Sequence, residues 1–178
     1  SEEDVLDRYY QAAKIYRKSE AEMDLAIVRV TSDCPLIDPA VIDLAVTGFH
    51  QNHCDYGANR LSEGGRTYPH GMDVEVFSWE ALERAWHEAD SPFFREHVTP
   101  YIHRNPDKFI LHNMPAAEDH SHLRMTVDYP DDYELTNEIF THFLKQQNPY
   151  FTLDDLIHYY YQYVSLYQKE NLEKKNEK

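Results

Sequence analysis

The chain has 178 residues, of which 42% are apolar, so it is long enough to bury a core as one domain and too apolar for a disordered protein. Its net charge of −15 repels polynucleotides, which excludes a nucleic-acid partner. The longest apolar run is far shorter than the roughly 20 residues of a membrane span, and no basic-then-apolar leader opens the chain. Two cysteines make no disulfide framework. We therefore expect a cytoplasmic protein without a membrane partner.

The first fifty residues predict a helix, a strand and a second helix. Ser1 and the acidic residues after it are typical of a helix N-terminus, and an apolar face recurs over residues 5–16. Residues 25–31 predict a strand whose nearly continuous hydrophobicity is typical of a parallel strand covered on both faces. Asp38 and the proline after it predict the next helix start. This succession indicates an α/β domain.

The rest of the chain continues in the same pattern. Residues 51–72 are punctuated by glycines and predict a long loop of the kind that is usually functional. Strands are predicted over residues 73–77, 109–111 and 122–127, and helices over 78–88, 92–104 and 130–146, with Pro100 bending or breaking the second helix. A capping signal at Thr152 predicts a tyrosine-rich final helix. We divide the chain into a nucleotidyltransferase-like part, 1–147, and this helical part, 148–178, packed on the body or on a partner subunit.

Two aspartates follow predicted strands and are candidate metal ligands. Asp33 follows the strand of residues 25–31, and Asp128 follows that of residues 122–127. Ligands of open α/β sheets bind beyond the carboxyl ends of strands, and two carboxylates there can share a hard cation. Pro35 is expected to keep the chain extended past Asp33. Alternatively, Asp33 caps a turn and Asp128 caps the helix that begins at Pro130, and the residue pattern alone leaves both interpretations open.

Four ordered segments carry a resemblance to a known family. They are RVTSDCPLIDP at residues 29–39, TYPHGMDVEVFS at 67–78, REHVTPYI at 95–102 and LRMTVDYPDD at 123–132, preceded by DVLDRYY at 4–10. Together they resemble the cytidylyltransferase family of spore-coat polysaccharide biosynthesis protein F, which is akin to the synthetases of CMP-activated acidic sugars. The resemblance runs from Ser1 to about Phe143.

This resemblance implies a Rossmann-like nucleotide-diphospho-sugar transferase fold, an α/β fold with a mixed, mostly parallel sheet. It implies an enzyme that uses Mg²⁺ to transfer CMP from CTP to a sugar, which we expect to be acidic, releasing pyrophosphate for surface or spore-coat polysaccharide biosynthesis. Asp33 matches the aspartate of the Asp-x-Pro-Leu motif, and Asp128 that of Val-Asp-x-Pro-x-Asp. Related synthetases hold the metal at these two positions, and a homodimer is the assembly they imply.

The candidates for sugar binding lie in the loop and strand that follow. Asp73 and Glu75 alternate with valines, so both side chains point to one face of a strand. They either bind sugar hydroxyls or form a salt bridge with Arg95 or Arg124, because a carboxylate on a covered strand needs a partner. The further candidates for substrate binding are Asn59, Arg60, Tyr68, Arg95, Arg124 and His97, the last of which also fits a structural role. Arg29, in mid-strand, is expected to pair with a buried carboxylate.

One family feature has no counterpart in these residues. Family members begin with a strand and a glycine-containing, basic loop that wraps the phosphates of CTP, and nothing here resembles it. We therefore expect a sheet without its first β-α units, an exposed edge along residues 25–31 and no CTP turnover by this chain alone. Two other hypotheses stay open: a non-catalytic module for sugar binding or dimerisation, and a glycosyltransferase or nucleotidyltransferase of the same fold that uses another nucleotide.

Overall fold

The computed structural model describes residues 3–19, 25–61 and 65–164. The helices in these ranges are α1 Val5–Ser19, α2 Pro39–Gln51, α3 Trp79–Glu88, α4 Pro92–His97, α5 Pro100–His103, α6 Pro130–Lys145 and α7 Leu153–Tyr159, which continues as a π-helical turn over Tyr160–Val164. The strands are β1 Ala26–Arg29, β2 Tyr56–Ala58, β3 Glu75–Ser78 and β4 Leu111–Asn113. No helix in these ranges is long and apolar enough to span a bilayer.

The four strands form one mixed sheet in the order β1-β3-β2-β4. Strand β3 is antiparallel to both β1 and β2, whereas β2 and β4 are parallel. The predicted mixed α/β architecture is confirmed, with antiparallel pairings outnumbering the parallel one among the described strands. The expectation that the first strand is parallel and covered on both faces is wrong, because β1 pairs only with β3 here and Val28 is 39% exposed. As predicted, β1 lies at an edge of the described sheet.

The strand predicted over residues 122–127 is also wrong. This segment makes a single parallel bridge, in which the N–H of His70 donates to Leu123 O at 2.9 Å and the N–H of Met125 donates to His70 O at 2.7 Å. Gly71 has a φ of 100°, and a Cβ there would lie 2.6 Å from the carbonyl oxygen of Met125. The backbones therefore meet at one glycine rather than along an extended ladder.

Helix starts follow the predicted capping residues. The side chains of Asp38, Ser78 and Thr152 each accept an N–H from the first turn of α2, α3 and α7. Asp38 is buried and its second oxygen accepts the N–H of Leu153 at 2.6 Å, which ties α7 to α2. In α1, the carboxylate of Asp4 accepts from the first turn; Ser1, the predicted cap, lies outside the described residues.

Two hydrophobic cores lie against the sheet. One packs α2, α6 and α7 and includes Val76, and the other packs α1, α3 and α5 and includes Phe77, because successive side chains of β3 point to opposite faces. Tyr159 and Tyr160 are buried in the first core, so the start of the tyrosine-rich helix packs on the body of the protein. The predicted helix between residues 92 and 104 is broken before Pro100, as expected. Tyr167 lies outside the described residues.

Arg29 and Glu75 are directly opposite each other on β1 and β3, and their side chains form an ion pair. Their side chains are 23% and 17% exposed, so removing either partner leaves a largely desolvated charge. We expect Arg29→Gln or Glu75→Gln to lower the free energy of unfolding by about 2–3 kcal/mol, with a coupling energy of about 1–3 kcal/mol between the two sites. Urea denaturation of the single and double variants measures both quantities.

The matched control is the surface pair of Arg17 and Glu80, whose side chains are 43% and 62% exposed. Solvent screening limits its coupling energy to about 0.5 kcal/mol. A coupling between Arg29 and Glu75 no larger than that of the control pair would show that the pair does not hold β1 against β3.

Candidate functional site

A pocket of about 640 Å³ opens where β1 and β2 end and β3 begins. This is the carboxyl edge of β1 and β2, where ligands of α/β sheets bind. The pocket brings together six of the predicted site residues: Asp33, Asn59, Arg60, Asp73, Glu75 and His97. The other four, Tyr68, Arg95, Arg124 and Asp128, are not among its lining residues.

Glu75 forms the floor of the pocket, and both of its carboxylate oxygens accept hydrogen bonds from the protein. One carboxylate oxygen accepts hydrogen bonds from Tyr56 and Thr99, each at 2.6 Å, and the other accepts from Arg29. The predicted carboxylate partner of Arg29 is therefore Glu75, and the expectation that Glu75 pairs with Arg95 or Arg124 is wrong. Burial, and next the adjacent carboxylate, raise the pKa of Tyr56 well above its ordinary value, so the phenol stays a donor to Glu75.

Asp73 lies beside Glu75 on the pocket wall and is held by two arginines. Arg66 donates two N–H groups to its carboxylate at 2.6 and 2.8 Å, and Arg60 adds one contact at 3.2 Å. The side chain of Arg66 is 12% exposed, whereas that of Arg60 is 61% exposed. Both arginines lie in the long loop, so the proposed partners Arg95 and Arg124 are wrong for Asp73 as well. Arg66 is not among the predicted site residues, although it lies in the predicted functional loop just before the predicted strand that carries Asp73 and Glu75.

Three predicted sugar-binding residues have structural contacts. The buried amide of Asn59 donates to Met72 O at 2.5 Å and accepts from the N–H of Val74 at 3.0 Å, so it fixes the backbone on either side of Asp73. Tyr68 is buried in the first core, and burial raises the pKa of its phenol. Arg95 forms an ion pair with Asp4 at 2.7 Å, which joins α4 to the start of α1.

Asp33 lies in a turn at the pocket edge. The N–H of Cys34 donates to Thr31 O at 3.2 Å, so the chain turns after β1, and the expectation that it stays extended past Asp33 is wrong. From the described residues, the carboxylate of Asp33 receives only a weak contact, from the thiol of Cys34 at 3.7 Å. The N–H of Val127 donates to the backbone carbonyl of Asp33 at 2.8 Å, which places the Asp128 segment alongside it.

Asp128 is exposed, and its carboxylate accepts from Arg124 and Thr126. It does not cap α6: the carboxylate of Asp132, in the first helical turn, accepts the N–H groups of Asp128 and Tyr129 at 2.9 and 3.0 Å. Arg124 therefore contacts the proposed metal ligand and is not among the residues that line the pocket.

The two aspartates fit a magnesium site by their donor chemistry. Mg²⁺ is usually bound by one or two carboxylates together with substrate phosphates and water, and both groups supply hard oxygens. Among the described residues, no group of three or more His, Cys, Asp or Glu side chains could hold a metal. A site built on Asp33 and Asp128 would accordingly be completed by phosphate and water oxygens, with Arg124 released from Asp128.

Comparisons with known proteins identify relatives of this chain. The chain is 37% identical over 145 residues to an uncharacterized protein of Methanocaldococcus jannaschii, and 27% identical over 149 residues to spore coat polysaccharide biosynthesis protein SpsF of Bacillus subtilis. These alignments cover 80% and 79% of the chain, and 55% of each relative, so the chain spans about half the length of the curated relatives it matches.

A solved cytidylyltransferase from Leptospira borgpetersenii has the same fold. It is 35% identical and superposes with a TM-score of 0.79 over 91% of this chain and 64% of its own. The family model described as cytidylyltransferase matches residues 1–175, so the resemblance extends beyond Phe143, where the sequence motifs end. The chain therefore belongs to the cytidylyltransferase family.

Proposed function

We propose that the protein transfers CMP from CTP to a sugar with the help of Mg²⁺ and releases pyrophosphate. The observation that supports this most directly is the pocket itself, in which Asp33 lies at the edge and Asp73 and Glu75 form the wall, within a member of the cytidylyltransferase family. The chain spans only part of its relatives' length, so the reaction is proposed for the natural polypeptide that contains these residues.

In this proposal Asp33 and Asp128 hold the metal against the phosphates of CTP. Two unit charges about 4 Å apart interact by about 4 kcal/mol near a protein surface, so two bare carboxylates beside a triphosphate would repel it by several kcal/mol. Bound Mg²⁺ reverses this repulsion and polarises the α-phosphate. The carboxylate of Asp33 has one weak contact with the described residues and is free to bind a cation. The carboxylate of Asp128 binds Arg124, and this ion pair must break before Asp128 can bind the metal.

The sugar binds against the wall of Asp73 and Glu75. The arginines fix both carboxylates in place, so their remaining lone pairs are preorganised acceptors for sugar hydroxyls. Asn59 contributes by holding the backbone around Asp73, and His97, the last residue of α4, also lines the pocket.

The arrangement of charges supports an acidic sugar. Asp73 faces two arginines, and the two-point contact of Arg66 already neutralises it. Arg60 is therefore not required to neutralise Asp73, and its mostly exposed side chain can bind an anionic group on the substrate. We further propose that the CMP-sugar serves polysaccharide biosynthesis, as the name of the Bacillus subtilis relative suggests, and that the enzyme works as a homodimer in the cytoplasm.

Removing the charge of either aspartate tests the metal site. In the natural polypeptide, we expect Asp33→Asn and Asp128→Asn each to lower Mg²⁺-dependent release of pyrophosphate from CTP at least about 100-fold, because each loses a metal ligand. Asp43→Asn, on the exposed face of α2, is the control and should keep its rate within about threefold. Circular dichroism checks the fold, and wild-type turnover by either site variant would remove that residue from the metal site.

The same assay distinguishes the competing functions. We propose that the 178-residue chain alone does not turn over CTP, since it contains nothing resembling the family's phosphate-binding loop. Robust pyrophosphate release by this chain would contradict that proposal. If the natural polypeptide binds a sugar but has no Mg²⁺-dependent affinity for CTP, it is a sugar-binding module, and turnover with another nucleotide would make it a different transferase.

A substitution at Arg60 tests whether the sugar is acidic. With an acidic sugar substrate found by screening sugar acids, we expect Arg60→Gln to raise the sugar KM about 10- to 100-fold with little change in kcat, since a charged hydrogen bond is lost. The exposed Arg8→Gln on α1 is the control. The alcohol obtained by reducing the sugar carboxylate should have the same KM with the wild type and with Arg60→Gln. A KM for the acid that is unchanged in Arg60→Gln would exclude Arg60 as its anchor.

A further inference from the structure

The pocket is lined by two histidines whose rings donate and accept no hydrogen bond with another described residue. Among the described lining residues, the arginines, carboxylates and Tyr56 all make hydrogen bonds or ion pairs, whereas the rings of His97 and His103 make none with another residue. His97 is exposed and packs edge-on against Phe93 at 4.6 Å between ring centroids. His103 is half-buried and lies 5.9 Å from the ring of Tyr56, next to the pocket floor.

The helix α5 that carries His103 is fixed directly to that floor. The hydroxyl of Thr99 donates to Glu75 at 2.6 Å, and the N–H of His103 donates to the carbonyl of Thr99 at 3.2 Å. Glu75 therefore positions His103 through Thr99, which contacts both residues. His103 is not among the predicted site residues, because it lies just beyond the motif of residues 95–102 and is positioned through Thr99.

The backbone before Thr99 is strained in a way that supports a functional role. Val98 is fully buried and has φ 70° and ψ −66°, and the N–H of Thr99 donates to the carbonyl of His97 at 2.9 Å. This is a γ-turn of the rare, strained kind, at a β-branched residue. Such conformations persist only where the surrounding structure enforces them, and they cluster at active sites. Here the turn sets α5 against the pocket.

The charges that face His103 come from several elements. Glu75 lies on β3, Tyr56 on β2, Arg60 in the loop after β2, and Arg104 follows His103 directly. Burial lowers the pKa of His103 below its ordinary value; Glu75 opposes this, Arg104 and Arg60 add to it, and a hydrogen bond to the backbone of His103 itself opposes it. The lowered pKa favours the neutral imidazole, which has one unprotonated nitrogen.

We propose that His103 is the general base that accepts the proton of the attacking sugar hydroxyl. This rests on the proposed transfer of CMP. The O–H bond of the sugar breaks and its proton goes to the unprotonated ring nitrogen, while the sugar oxygen forms a bond to the α-phosphorus of CTP. The bond from the α-phosphorus to the oxygen that bridges to the β-phosphate breaks, and pyrophosphate leaves with that electron pair. The proton is then released from His103 to solvent.

Single-turnover rates in the natural polypeptide test the assignment. We expect His103→Gln to slow the transfer step about 100-fold or more at pH 7.5, with the sugar KM within about threefold of wild type. The exposed His50→Gln on α2 is the matched control and should keep the wild-type rate. Exogenous imidazole should restore part of the rate of His103→Ala and none of that of Asp33→Asn.

The pH profile separates a base from a residue that merely supports the pocket. The wild-type rate should rise with pH and level off above the pKa of His103, which lies below the ordinary value for histidine. In His103→Gln the rate should keep rising with hydroxide concentration. A folded His103→Gln that keeps its rate within threefold, or whose profile matches wild type, overturns this assignment alone. A wild-type polypeptide that makes no CMP-sugar overturns the proposed function, and this role with it.

Discussion

The ion pair between Arg29 and Glu75 is the interaction on which the rest of the site depends. It joins the last residue of β1 to the first residue of β3, so it lies where the strand leading to Asp33 meets the strand that follows Asp73. Glu75 also accepts from Tyr56 and Thr99, which brings β2 and the start of α5 to the same carboxylate. One partly buried charge thus fixes four segments, because each donor satisfies a group that would otherwise be desolvated without a partner.

The features that could be predicted from the sequence are those determined by local chemistry. The caps at Asp38, Ser78 and Thr152 hydrogen-bond to the next few residues, so a short stretch of sequence is enough to reveal them. The alternation of Asp73 and Glu75 placed both carboxylates on one pocket wall for the same reason. The ordered motifs then supplied the family, which composition and periodicity could not have distinguished from other α/β domains.

The features that could not be predicted depend on contacts between distant residues. Arg95 was predicted to bind the sugar, yet its partner is Asp4, 91 positions away. Nothing in the local sequence pattern distinguishes an arginine that forms a structural ion pair from one that binds substrate. The direction of β1 was misjudged because a continuous apolar run reports burial and not the direction of the neighbouring strand. Residues 122–127 read as a strand from their pattern, whereas their pairing is limited to the backbone contact at Gly71.

Asp33 shows how a precise site can follow an edge strand. Strand β1 pairs on one side only within the described sheet, and Val28 and Val30 are 39% and 40% exposed, so strand pairing alone restrains this segment weakly. Two contacts compensate for this: Arg29 fixes the chain before Asp33 through Glu75, and the N–H of Val127 fixes it afterwards through the carbonyl of Asp33. The second contact also sets the Asp128 segment beside Asp33. The geometry of the two carboxylates is therefore coupled to Glu75, and a change at Glu75 should reach the proposed metal ligands without contacting them.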